Sequence, residues 1–134
     1  MVEITDKLME QFAIDTPSPF TPMRSLSGGN KQKGVVAREL SRRPKEGTKL
    51  LLIAENPTFG LDGATTGFVR EELLKVRESG ASVLLVSSDL TEIMTLCDEI
   101  AVIYKGEIIG RVSTDETTRE AIGLMMGGVI PESN

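Results

Sequence analysis

The run Leu26-Ser27-Gly28-Gly29-Asn30-Lys31 puts a hydroxyl and two glycines where a helix must start. Backbone without side chains lets amide N–H groups approach an anion, and a helix N-terminus adds partial positive charge. The segment is therefore suited to contact a phosphate. An ordinary Ser/Gly helix start has the same composition, and on this segment alone the two readings stand level. A second segment, Glu55-Asn56-Pro57-Thr58-Phe59-Gly60-Leu61-Asp62, follows an apolar run at residues 50–54. A carboxylate at the C-terminal tip of a buried strand is a usual place for a ligand to a Mg²⁺-phosphate, which makes Glu55 a candidate. A lone acid after a strand is more often a loop charge, so this segment too decides nothing by itself.

Several chemistries are excluded outright. The chain has 134 residues and no histidine, which removes imidazole proton shuttles, His zinc sites and His-dependent triads. Its single cysteine, Cys97, rules out an internal disulfide and any cysteine metal cluster. With 40% hydrophobic and 26% charged residues, the composition suffices for a core, in one domain or two very small ones. Aromatics are scarce, so that core must be aliphatic. The net charge of −5 argues against a nucleic-acid partner. The basic stretch Lys31, Lys33, Arg38, Arg42, Arg43 and Lys45 is diluted by Glu39 and Glu46 and reads as a solvated helix face. The longest apolar run has five residues, far short of a membrane span, and the N-terminus lacks a secretory pattern, so a cytoplasmic location is expected.

The elements that must position these residues follow from periodicity. Ile4, Leu8 and Phe12 predict a helix over 2–14, stopped by the proline-rich lead Thr16-Pro17-Ser18-Pro19-Phe20-Thr21-Pro22. After a polar turn at 25–29, a helix is expected over 30–43 and is closed by Pro44. Continuous apolar runs at 50–54, 83–86 and 100–104 suit strands buried on both faces. A charged amphipathic stretch at 68–78 and a second helix at 90–96 lie between them, with Leu90, Ile93, Met94 and Cys97 on one face. Residues 104–107 turn the chain into a last strand at 108–112. A final helix over 116–126, capped by Thr114 or Asp115, ends at Gly127-Gly128. Cys97 and Met94, Met125 and Met126 are expected as buried packing groups, and Glu71–Lys75 as an i,i+4 ion pair. The order strand–helix–strand–helix–strand is that of an α/β fold.

Taken together, the segments resemble the ATPase domain of ABC transporters, over roughly residues 15–128. Leu26-Ser27-Gly28-Gly29-Asn30 matches the family's signature loop, residues 50–56 lie where its Walker B strand lies, Gly60-Leu61-Asp62 matches the D-loop, and Val86-Ser87-Ser88-Asp89-Leu90 matches the switch segment. Thr16-Pro17-Ser18-Pro19, Ala54-Glu55-Asn56-Pro57-Thr58 and Gly123-Leu124-Met125-Met126 are similar to the second ATPase half of simple-sugar and nucleoside importers, the nucleoside type more closely. The resemblance implies a partial P-loop-type ATPase domain: an α/β fold with a short, mostly parallel sheet flanked by helices. Within one domain over 1–134, residues 1–25 form the helix and proline-rich lead, 26–49 the signature loop and its helix, and 50–134 the part from Walker B onward.

The resemblance also implies roles. Ser27, Gly28, Gly29, Asn30 and Asp62 would meet nucleotide, and Glu55 would reach Mg²⁺ through water. Asn56 stands where the family carries its catalytic Glu and cannot accept a proton from water. Ser88 stands where it carries the switch His. The chain has no phosphate loop of the form Gly-x-x-x-x-Gly-Lys-Ser/Thr: Gly29-Asn30-Lys31-Gln32-Lys33-Gly34 is followed by Val35-Val36. The family's P-loop strand would precede residue 1, so the chain reads as a C-terminal portion, inactive alone. Its expected partners are a second ATPase domain, whose ATP would meet the signature corner, and transmembrane permease subunits, with ATP and Mg²⁺ as cofactors of the assembly. It would then sit peripherally on the inner face of the cell membrane. The missing strand would lie between residues 83–86 and 100–104. Its absence predicts direct closure, a homodimer through exposed strand edges, or a helix refilling the gap. Residues 46–48 read as a loop insertion. The alternative function is a non-catalytic α/β module that pairs with a complete ATPase domain or a membrane subunit.

Overall fold

The computed structural model describes residues 2–41 and 49–130. The chain divides into two compact units, residues 1–84 and 85–134. Among the described residues, no helix is long and apolar enough to cross a membrane.

The first unit begins with helix α1 (Val2–Gln11). It ends three residues earlier than the apolar spacing suggested, because Ala13 turns into the left-handed region with φ 47. Phe12 is buried at 2% exposure and meets Phe68 edge-on at 6.0 Å, a pair that contributes about 0.5–1.5 kcal/mol beyond its burial. Ile4, expected on the same buried face, is exposed. After the proline-rich lead and a 3-10 turn at Met23–Ser25 comes α2 (Gly28–Leu40). Both glycines lie inside its first turn rather than ahead of it, because Ser27 provides the cap. Residues 42–48, including the expected insertion at 46–48 and Pro44, lie outside the described residues. Strand β1 (Leu51–Glu55) leads to α3 (Gly63–Glu78), which buries Thr65, Val69 and Leu73, and then to β2 (Ser82–Val86). The expected Glu71–Lys75 pair forms at 3.1 Å, and Glu72 joins it at 2.8 Å. In the basic stretch, Lys33 donates to the Ala13 carbonyl and lies over the Phe68 ring, while Arg38 pairs with Glu39.

β1 and β2 are hydrogen-bonded neighbours joined by the α3 crossover, a parallel pair. The Ser82 N–H donates to the Leu50 carbonyl at 2.9 Å. Burial on both faces, expected from the continuous apolar runs, is not found. Leu51, Ile53 and Leu84 are 57%, 63% and 50% exposed, and accessibility alternates along both strands. Side chains alternate across a sheet, so half of each run packs inward while the other half faces out uncovered by described residues.

The second unit holds α4 (Leu90–Leu96), β3 (Glu99–Tyr104), β4 (Glu107–Ser113) and α5 (Arg119–Met126). β3 and β4 pair antiparallel from Glu99↔Ser113 to Tyr104↔Glu107, with a bulge at Val102/Ile103. Lys105 and Gly106, with φ 49 and 87, supply the two left-handed residues that a tight hairpin turn needs. β2 is laddered to β1, and β3 to its own hairpin partner β4. Ile100, Val102, Ile122 and Met125 form the core, with Leu90, Ile93, Met94 and Val112 packed around it. The last helix starts later than expected. Thr118 caps it by accepting the Ala121 N–H, while Thr114 sits in a 3-10 turn and donates to the Cys97 carbonyl at 2.6 Å. Cys97 ends α4 rather than lying within it. The thiol is half-buried, and burial pushes its pKa up, with Asp98 and Glu92 adding to the rise.

Candidate functional site

The site is built on the N-terminus of α2. Ser27 is in extended conformation, and its Oγ accepts the Asn30 N–H at 3.3 Å, while its carbonyl accepts the Lys31 N–H at 2.9 Å. The Gly28 and Gly29 N–H groups fall in the first turn, where a helix offers them no internal acceptor. The Ser27 hydroxyl, having accepted one bond, keeps its own proton to donate. Three donors therefore stand at the positive end of a 13-residue helix.

The two glycines do different work. A Cβ built on Gly28 meets nothing within 4 Å. One built on Gly29 meets Thr65 Oγ1 at 2.9 Å and Asp62 Oδ2 at 3.4 Å. Gly28 faces open space, and Gly29 is pressed against the start of α3. There Asp62 is the helix cap: Oδ1 accepts the Thr65 N–H at 2.9 Å and Oδ2 accepts the Thr65 hydroxyl at 2.8 Å. These bonds, the Thr65 N–H first and its hydroxyl second, hold the Asp62 carboxyl below the usual aspartate range. Asp62, assigned to nucleotide by the sequence, thus accepts one bond from Thr65 at each oxygen, and each oxygen keeps a further lone pair.

Two side chains fasten the same turn elsewhere. Asn30 Oδ1 accepts the Asp15 N–H at 3.0 Å, and Gln32 Nε2 donates to the Pro57 carbonyl at 2.7 Å. Glu55 ends β1, exposed, and Asn56 follows it with φ 43. Left-handed backbone suits Asn better than most residues, and here it starts the turn in which the Phe59 N–H donates to the Asn56 carbonyl. Among the described residues no group of three carboxylate, Cys or His side chains could hold a metal, so Glu55 offers one ligand and phosphate oxygens or water would supply the rest. The corner, Glu55, Asn56 and Asp62 all belong to the first unit. Ser88, exposed just before the Asp89 cap of α4, belongs to the second. Thr65 and Gln32 were missed by the sequence reading. Their signals were the capping spacing Asp62-x-x-Thr65 and the i,i+3 spacing that puts Gly29 and Gln32 on one helix face.

No protein-family model matches the chain. Individual proteins do. The chain is 46% identical over 121 residues to the guanosine import ATP-binding protein NupO of Bacillus subtilis strain 168, covering 90% of this chain and 23% of that one. It is 42% identical over 127 residues to the nucleoside import ATP-binding protein NupA of Lactococcus lactis subsp. cremoris, covering 94% and 24%. Among solved structures, a dimeric ATP-binding cassette in a post-hydrolysis state with ADP and Pi superposes with TM-score 0.69 at 22% identity, over 84% of this chain and 46% of that one. The chain is homologous to ABC transporter ATP-binding proteins over nine-tenths of its own length. CbiO1 of Clostridium perfringens, part of the cbiONQ ABC transporter complex, gives TM-score 0.65 at 22% identity over 92% of this chain and 47% of that one. The chain thus spans 23–24% of the length of those two relatives and under half of the solved cassettes. Its α/β arrangement is that of the cassette fold.

Proposed function

We propose that the chain is part of the ATP-binding subunit of an importer for nucleosides or sugars. In this reading it supplies the 27–29 corner to the γ-phosphate of ATP held by a second ATPase domain. The observation that carries the proposal is the corner itself: an open Gly28, two N–H groups without helical acceptors and a hydroxyl with a proton to give. The relatives named for guanosine and nucleoside import support the solute class, and the cassette solved as a dimer supports the partner domain. Mg²⁺ would accompany the nucleotide, with Glu55 reaching it through water. Permease subunits would anchor the assembly at the inner face of the membrane. Asn56 lacks the basicity to activate water, so turnover would belong to the site whose phosphate loop lies in the partner. The uncovered apolar side of β1 and β2 gives a further protein surface something to bury, including a second copy of this chain.

The test is a graft. This chain replaces the matching 121-residue segment of the guanosine import ATP-binding protein, and ATP hydrolysis is measured with Mg²⁺. The expected result is turnover by the graft, lost at least about a hundredfold on Ser27→Arg, and none by the 134-residue chain alone. Full turnover by the Ser27→Arg graft would overturn the reading.

A further inference from the structure

We infer that Gln32 and Thr65 are positioning residues that fix the 27–29 corner to the loop following β1, so that corner and loop move as one body. The inference rests on the reading above for what the corner touches, but its geometry stands apart from it. Gly29 and Gln32 are three residues apart on α2 and share a face. That face meets the loop at both ends. Gln32 holds the near end through the Pro57 carbonyl at 2.7 Å, across 25 residues of sequence. Gly29 is seated on the far end, where Thr65 and Asp62 leave no room for a methyl group. Thr65 is buried, and its hydroxyl is committed to Asp62 Oδ2 at 2.8 Å, so the seat under Gly29 is itself locked.

The consequence is mechanical. The loop begins at Glu55 and Asn56, the tip of β1. A displacement of that tip is transmitted through Pro57 and Asp62 to Ser27 and Gly28 rather than absorbed between them. Neither Gln32 nor Thr65 would touch nucleotide. Each acts by limiting how far the corner can stray from the loop, and donors that must meet a phosphate at hydrogen-bond distance lose effect steeply when they wander.

Two measurements test this. In the 134-residue chain, hydrogen exchange is read at the Asn30 and Lys31 amides, the first in α2 with acceptors. Gln32→Leu and Thr65→Val should each raise the rate about fivefold, the worth of one intramolecular hydrogen bond, while Thr65→Ser, which keeps the hydroxyl, should match wild type. Should Thr65→Val fail to fold, Gln32→Leu carries the test. Unchanged exchange in Gln32→Leu overturns the inference whatever the nucleotide does. In the graft, Gln32→Leu should lower kcat about tenfold with KM for ATP unchanged, because the nucleotide is held elsewhere. An unchanged kcat in a graft that Ser27→Arg does inactivate overturns the positioning role. A graft indifferent to Ser27→Arg overturns the proposed function and leaves the exchange result to decide the tether.

Discussion

Adjacent glycines in one helical turn should respond oppositely to the same added methyl. Gly28→Ala places its Cβ in open space, and the backbone is within a right-handed helix, so nothing in the folded state resists it. Alanine also restricts the unfolded chain, and the expected change is a gain of about 0.4–1 kcal/mol. Gly29→Ala earns the same restriction but sets its Cβ 2.9 Å from Thr65 Oγ1 and 3.4 Å from Asp62 Oδ2. The hydroxyl cannot swing aside without giving up its bond to Asp62. Overpacking of this kind costs about 1–3 kcal/mol, so the net expectation is a loss of up to about 2.5 kcal/mol. Thr65→Ala removes the atom in conflict, and the Gly29→Ala/Thr65→Ala pair should show a favourable coupling of at least about 1 kcal/mol. The assay is urea unfolding of the two single alanine variants at Gly28 and Gly29, of Thr65→Ala and of the double variant. In the graft the order inverts for Gly28: the more stable Gly28→Ala should lose turnover, because its methyl stands where a phosphate oxygen would approach. If Gly29→Ala is as stable as Gly28→Ala, the seat described for the corner does not exist.

The Asp62 carboxyl is held below the usual aspartate range in the fold, so its capping contribution is complete above that range and is lost as pH falls through the lowered value. Melting temperature followed downward from about pH 5 should fall less steeply in Asp62→Ala than in wild type, the two curves converging at the acid end. Gly128 has φ 85, and a Cβ there would lie 2.5 Å from the Tyr104 ring; it also occupies the position after α5 whose N–H bonds the Met125 carbonyl. Gly128→Ala should cost about 1–3 kcal/mol in urea unfolding, and wild-type stability would remove the contact. Cys97, its thiol pushed upward by burial and by Asp98, should react with iodoacetamide at pH 7.5 several-fold more slowly than a free cysteine; equal rates would show the thiol to be open.

The elements were legible where apolar spacing and caps agreed. Residues 90–96 are α4 as read, because Asp89 caps a helix whose apolar positions repeat at three and four residues. Element starts were missed where a short polar side chain decides them. Asp62 caps α3, which starts five residues before the amphipathic stretch becomes visible, and Thr118 rather than Thr114 or Asp115 caps α5. Both are choices among several Ser, Thr and Asp residues, settled by which one the following N–H groups can reach. Burial on both faces was misread for a different reason: the apolar runs at 50–54 and 83–86 state what the strands can bury, whereas their exposure depends on what covers them. Of the candidate site, the helix start at Ser27 to Gly29 was legible from residue types, while its phosphate reading needed the other segments beside it. Its supports were not, because Gln32 and Pro57 are 25 residues apart and only the folded chain joins them.

The first turn of α2 carries two demands that pull against each other. A corner meant to meet a partner's phosphate must keep its outer side empty, and a corner of fixed position must keep its inner side full. Glycine at both positions satisfies the two at once, since the side chain missing from Gly28 leaves room for a ligand and the one missing from Gly29 leaves room for Thr65. The strand tip beneath carries no such refinement: Glu55 is exposed, Asn56 cannot serve as a base, and the described residues assemble no metal site around them. Under the proposed function, the two glycines of the donor edge would serve a nucleotide bound by another domain, and the strand tip would add little to it.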